Sequence, residues 1–233
     1  MAGVTPTPQT PSALLASLQR NLPIATRTSM SGATPGNDLY EAYIFGLVLA
    51  AADNQGYSVQ IRDYEGQGAS VLHLRRSPGR LCNGVSQLGA LFTHAVLSVA
   101  NRPDLEVHTG VYVVGKSRVT HEADVLVLPA TVARRCREAR LDPPSSAAWL
   151  LVEAKYYTVP VTLGVGRQFL GLRHDTSAKN TVFVCTTAGS SASALLAGSP
   201  NVEADDGVLP RLSGESSLRS LLVRLFRTYR LRR

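Results

Sequence analysis

Cysteine is scarce: Cys82, Cys136 and Cys185 are too few, too widely spaced and odd in number to staple a small domain. No CxxC pair occurs among them, so they form no cysteine-rich zinc motif, and they read as reduced thiols of a cytoplasmic protein. Long apolar runs are also missing. A membrane-spanning helix needs about 18 consecutive apolar residues, whereas the most apolar stretch, Tyr40–Ala52, contains Glu41 and stops at Asp53-Asn54. The N-terminus shows no basic segment leading into an apolar one, hence no sign of a secretory signal. A soluble protein is expected, without membrane partners. The sequence also has no repeat at solenoid spacing, no phosphate-binding glycine loop and no recognisable helix-turn-helix module.

The residues that are present can build a core, because 44% of the 233 positions are hydrophobic. Basic residues outnumber acidic ones, 24 to 17, giving a net charge of +7 that calls for an anionic partner: nucleic acid, an acidic protein or a membrane surface. The charge is spread over separate clusters. Arg134, Arg135 and Arg137 in one, and Arg227 and Arg230 near the C-terminus, are candidate nucleic-acid contacts. The C-terminal helix carries few large apolar residues to insert, which argues against membrane attachment.

Composition divides the chain into three parts. Residues 1–36 read as a flexible segment outside the core, with Pro and Thr concentrated over Thr5–Ser12, a short helix over Ala13–Leu22 and a turn at Pro35-Gly36. Residues 37–190 form the main domain. Residues 191–233 are a Gly/Ser/Pro/Asp-rich loop followed by an amphipathic helix, in which Leu218, Leu221, Leu222, Leu225 and Tyr229 keep helical spacing and dock on the domain.

Within the main domain, Asn37–Asp53 is apolar nearly all round and predicts a buried helix. Tyr57–Arg62 and Ser70–Arg75 alternate apolar and polar residues around a glycine-bearing turn and predict a hairpin. Val85–Ala100 reads as helix, Glu106–Val114 and Val119–Leu128 as a second strand pair, and Pro129–Ala148 as a long loop. Strand, helix and strand at Trp149–Thr158, Val161–Arg173 and Thr181–Thr187 predict a parallel crossover. The fold class is therefore α/β, with a mixed sheet flanked by helices.

Two strands carry charge where a structural strand rarely does. In W-L-L-V-E-A-K, alternation sends Glu153 and Lys155 out together on one face, with Val152 and Ala154 on the other. In V-T-H-E-A-D-V-L-V-L, Glu122 and Asp124 leave the sheet opposite Val125 and Val127. Burying such charges unpaired costs several kcal/mol in typical proteins, so they must meet partners. If the two strands pair, Asp124, Glu153 and Lys155 converge. Two carboxylates suit Mg²⁺ or Mn²⁺, and a lysine beside them can act on a water or a phosphoryl group, which is the equipment of metal-assisted phosphodiester hydrolysis. The plain alternative is a cross-strand surface ion pair. Glu41 has one as well, since Asp38-Leu-Tyr-Glu41 has capping-box spacing. Glu106, His108 and His121 read as strand-surface residues.

Asp124, then Glu153-Ala154-Lys155 on an apolar strand, then a helix and a further strand, resemble the PD-(D/E)xK nuclease superfamily over roughly Asn37 to Thr187. Ala123 stands where a proline often precedes the aspartate. The resemblance implies a restriction-endonuclease-like αβββαβ core, Mg²⁺ or Mn²⁺ as cofactor, and hydrolytic cleavage of nucleic acid, DNA before RNA. It implies Asp124 and Glu153 as metal ligands, Lys155 as the catalytic lysine, Glu41 as an auxiliary metal contact, and Gln168 as a match to a glutamine of some branches, with Leu172 where a tyrosine often follows. It also implies roles in restriction, anti-phage defence or mobile-element processing, as a homodimer or with a partner protein. The competing expectation is a catalytically inactive nucleic-acid-binding or assembly module that keeps the fold.

Overall fold

A computed structural model describes residues 11–23 and 25–231. The proline- and threonine-rich stretch at 5–10 lies outside the described residues. In chain order the elements are α1 (Pro11–Asn21), β1 (Arg27–Thr28), α2 (Gly36–Asn54), β2 (Ser58–Asp63), β3 (Val71–Leu72), β4 (Thr93–Ser98), β5 (Leu105–Val114) and β6 (Thr120–Pro129). There follow α3 (Ala130–Ala139), β7 (Leu150–Lys155), α4 (Leu163–Asp175), β8 (Asn180–Cys185), α5 (Ser190–Ala197), β9 (Glu203–Asp205) and α6 (Ser213–Leu231).

A seven-stranded mixed sheet in the order β2-β4-β5-β6-β7-β8-β9 runs through the middle. It is antiparallel from β2 to β7 and parallel from β7 to β9, with α4 and α5 as the two crossovers. Helices α1, α2 and α6 cover one face, where Val107, Val125, Val127, Val152 and Val184 join the α2 side chains in the main core. On the other face, α3 packs over Leu126, Leu128 and Leu151, and α4 and α5 over Phe183 and Cys185. No helix among the described residues is long and apolar enough to cross a membrane.

Helix α2 is hydrophobic all round because it is the middle layer between the sheet and the outer helices. Gly46 lets α1 approach, since a Cβ there would lie 3.3 Å from both Leu18 and Asn21. Helix α6 docks through Leu218, Leu221, Leu222 and Tyr229, as its spacing predicts, but Leu225 is only partly buried and the place falls to Phe226, whose ring packs 4.8 Å from Trp149 and 5.3 Å from Tyr57.

Several expectations are corrected. The N-terminal segment is not outside the core, because α1 buries Leu14 and Leu18 against α2 and Met30 joins them. The turn at Asp63–Gly68 forms, but the predicted hairpin does not continue: β2 pairs along its length with β4, and β3 pairs with β1 instead. The helix read over Val85–Ala100 is strand β4, preceded by irregular chain through Gly84 and Gly89, the latter at φ +80°. Buried on both faces, β4 has no alternation to give it away. The connection from Pro129 to Ala148 contains α3, which buries Ala133 and Cys136 and ends at Arg140 in a left-handed conformation. The late loop contains α5, over the helical turn that the sequence suggests at Ala192–Leu196, and also β9, which the sequence does not suggest. Cys136 and Cys185 are buried, and all three cysteines are free.

One irregularity interrupts the regular alternation of β5. Val107 belongs to the core under α2, but Val111 and Val113 belong to the opposite cluster. The change of side falls at Gly110, whose φ of +56° a side chain would strain. Strand β6 changes sides in register with it, Val125 facing α2 and Ala123 the other cluster. Asp124 lies at that turnover.

Candidate active site

Strands β6 and β7 pair antiparallel, with Val125 opposite Val152 as the last partners, so Asp124 and Glu153 stand at the open end of the ladder. The Asp124 Oδ2 atom accepts the Ala154 N–H at 2.7 Å and the Lys155 ammonium at 3.4 Å. Lys155 Nζ also lies 2.6 Å from Glu153 Oε1, so it bridges carboxylates from two strands. The aspartate is 6% exposed, the glutamate 18% and the lysine 26%, which makes this a recessed site that solvent reaches. Asp124 Oδ1 takes part in none of these contacts.

Two more acids act electrostatically on this trio: Glu41, which the resemblance names as an auxiliary metal contact, and Glu122. The capping alternative for Glu41 fails: α2 starts after Pro35 with no side-chain cap, and Asp38 is instead hydrogen-bonded to Arg76 at 2.8 Å. The Glu41 carboxyl is pushed up to about 9, first by burial and then by Asp124, Glu122 and Asp38, with Lys155 opposing. Glu122 is pushed up to about 7, by burial first and then by Asp124 and Glu153, again against Lys155. Sequence reasoning left Glu122 without a role, although it shares the strand and the alternation of Asp124.

Burial also raises Asp124, with Lys155 and the Ala154 N–H pulling the other way. Glu153 is raised by burial and by Asp124, in spite of Lys155. For Lys155 burial works against the charge, but Asp124 and Glu153 outweigh it and hold the ammonium proton firmly. Four carboxylates thus feel the charge of one lysine. Negative charge in excess of its counter-charge, on hard oxygen donors, is the chemistry that attracts a divalent cation, but no three of these acids bring donor atoms within 4.8 Å of one another.

The remaining candidates are placed differently. Gln168 is exposed on α4, while its neighbour Phe169 packs on Phe183, and the glutamine takes no part in the carboxylate–lysine hydrogen bonds. His121 turns to Asp175 at 2.6 Å, so His121 and Asp124 do not act as a ligand pair. Arg134, Arg135 and Arg227 are exposed, and Arg230 is exposed while donating to the Gln55 carbonyl. Arg137 is a correction: it is not free for a phosphate, because both its terminal nitrogens hold Glu106, at 2.6 and 2.8 Å. Glu106 and His108 are likewise not strand-surface residues but are buried together with His94. Their strand was recognised; the helix that α3 makes over them was not.

No protein-family profile, curated protein or solved structure matches this chain.

Proposed function

We propose that the Asp124–Glu153–Lys155 cluster is the centre of a metal-dependent nuclease of the PD-(D/E)xK kind, hydrolysing phosphodiester bonds of DNA. The observation that carries this reading is the shared lysine: one ammonium lies between an aspartate and a glutamate from neighbouring strands, inside a recess with two more carboxylates. Asp124, Glu153 and Glu41 would hold Mg²⁺ or Mn²⁺, which when bound supplies Lewis-acid charge for the phosphate and a more acidic water. Glu122 stands by as a further oxygen donor.

The roles of the protein groups follow from their charge states. Lys155 keeps its proton, so it acts as a donor that orients the attacking water and balances charge building on the phosphoryl oxygens, and not as the base. Asp124 is fixed by the Ala154 N–H and therefore presents its free oxygen in a set direction. The exposed Arg134, Arg135 and Arg227 supply sequence-independent attraction for the DNA backbone.

The test is incubation of the purified protein with supercoiled plasmid, single-stranded DNA and RNA in Mg²⁺, Mn²⁺ or EDTA. Cleavage of DNA that needs the cation and disappears in Lys155→Ala is expected. Wild-type protein that cuts none of these substrates faster than Lys155→Ala, yet binds DNA equally well with and without cations, would make the domain a binding module instead.

A further inference from the structure

A second group of ligand-type side chains lies on β4 and β5, away from the oxygen-rich cluster. Val96 pairs with Glu106 and Ala95 with Val107, and continuing that register sets His94 across from His108. The two imidazoles stack with ring centres 4.9 Å apart. Each turns Nε2 to the same carboxylate oxygen, Glu106 Oε2, at 2.8 Å from His108 and 3.7 Å from His94. All three side chains are buried, and one possible donor atom from each residue lies within 4.8 Å of the other two. Arg137 Nη1 approaches that same oxygen at 2.6 Å, so three nitrogens crowd one Oε2.

From this convergence we infer that His94, Glu106 and His108 form a second metal site, which takes Zn²⁺ or a similar nitrogen-seeking first-row cation, separate from the Asp124–Glu153 cluster. Bonds of 2.0–2.1 Å around a tetrahedral zinc put neighbouring donors about 3.3 Å apart. The 2.8 and 3.7 Å nitrogen–oxygen separations bracket that spacing, and one of the stacked rings turns to aim both Nε2 lone pairs at a single ion. Two imidazoles and a carboxylate prefer zinc-like cations, whereas the all-oxygen cluster prefers Mg²⁺ or Mn²⁺. As ligands the imidazoles must be neutral. Binding at His108 Nε2 moves the proton shared with Glu106 to Nδ1, with no net release.

Arg137 gives the site its control. Its Nη1 contact to Oε2 occupies the cation's place and must yield, and its second nitrogen, 2.8 Å from Oε1, holds the carboxylate in that competing ion pair. His94, Glu106 and Arg137 also line a cavity of about 610 Å³, through which a cation enters and from which water or a substrate completes its coordination. The ligand class is therefore a Zn²⁺-type ion with an open coordination position.

The experiment uses the full chain carrying Asp124→Asn and Glu153→Gln, so that the oxygen cluster does not contribute. Co²⁺ is titrated with visible absorption, and Zn²⁺ by calorimetry, with Mg²⁺ as the comparison. One equivalent of Co²⁺ with d–d bands, displaced by Zn²⁺ and not by Mg²⁺, is expected. His94→Ala should weaken binding beyond the roughly 10–100-fold that an outer partner contributes. Arg137→Gln removes the competing cation, so Zn²⁺ should raise its melting temperature more than that of the parent. Absence of the Co²⁺ bands, or affinity unchanged in a folded His94→Ala, would overturn the inference and leave a buried ion-pair network. Should circular dichroism show His94→Ala unfolded, the Arg137→Gln comparison decides, and a melting temperature indifferent to Zn²⁺ overturns it.

Discussion

The Asp124 carboxylate accepts the backbone N–H of Ala154 at 2.7 Å, which fastens the first acid of the site to the strand carrying the second acid and the lysine. The bond lies just beyond the last paired residues of β6 and β7. It therefore fixes the separation of the two strands where their ladder ends, and an uncharged side chain that can still accept a hydrogen bond should do the same structural work.

Asp124→Asn is expected to keep the fold while losing Mn²⁺ binding and cleavage, because the amide oxygen can take the Ala154 N–H but brings no charge. Asp124→Leu leaves that N–H unsatisfied and should cost a further ~1–3 kcal/mol. Urea unfolding of both variants, set beside Mn²⁺ calorimetry, separates the two roles. Equal stability of the two would mean that the hydrogen bond contributes nothing.

The raised acids give stability a defined pH dependence. A carboxyl near 9 in the fold and near 4.5 in the unfolded chain binds its proton more tightly when folded, so its contribution declines as pH rises between those values. Glu41→Gln mimics the protonated form. Without divalent cations, its stability relative to wild type should climb from pH 5 to pH 9, and Mg²⁺ or Mn²⁺ should flatten that climb by stabilising ionised Glu41. Thermal melts at four or five pH values, with EDTA or Mn²⁺, provide the check. A difference that does not change with pH would remove Glu41 from the cluster.

Arg137 and Arg135 share a helix but should respond in opposite ways. Arg137→Met strands the buried Glu106 carboxylate and is expected to cost about 3 kcal/mol. Arg135→Ala, at an exposed position, should stay within about 0.5 kcal/mol yet reduce the salt dependence of DNA binding. Chemical denaturation and fluorescence anisotropy at several salt concentrations distinguish them; similar losses of stability in both would contradict the assignment.

Helix α6 belongs to the core and is not a detachable tail. Phe226 is fully buried against Trp149 and Tyr57, and Tyr57 donates to the Phe226 carbonyl at 3.1 Å. Phe226→Ala should cost ~3–5 kcal/mol and shift the emission of Trp149, the single tryptophan. An unchanged melting temperature would show that α6 contributes little to the main core.

How much could be read in advance depended on the range of the signal. Helix α2, strands β5, β6 and β7 and the β7-α4-β8 crossover were legible, since each announces itself through a local period or through flanking turns. Strand β4 and helix α3 were not: one is buried on both faces and has no alternation, and the other presents so many arginines that its apolar stripe reduces to Ala133 and Cys136. The misread β4 hid His94, and the misread α3 hid the partner of Glu106.

The sequence by itself determined that Glu153 and Lys155 leave one strand together and that Asp124 breaks another, because side-chain alternation is a property of consecutive residues. Only the tertiary structure decided that one ammonium bridges both acids, that Glu41 and Glu122 join them, and that Arg137 is tied to Glu106 instead of facing a phosphate. Those choices depend on strand register, on the change of side at Gly110 and on which helix covers which face. Each is set by packing between residues far apart in the chain, and no local pattern encodes it.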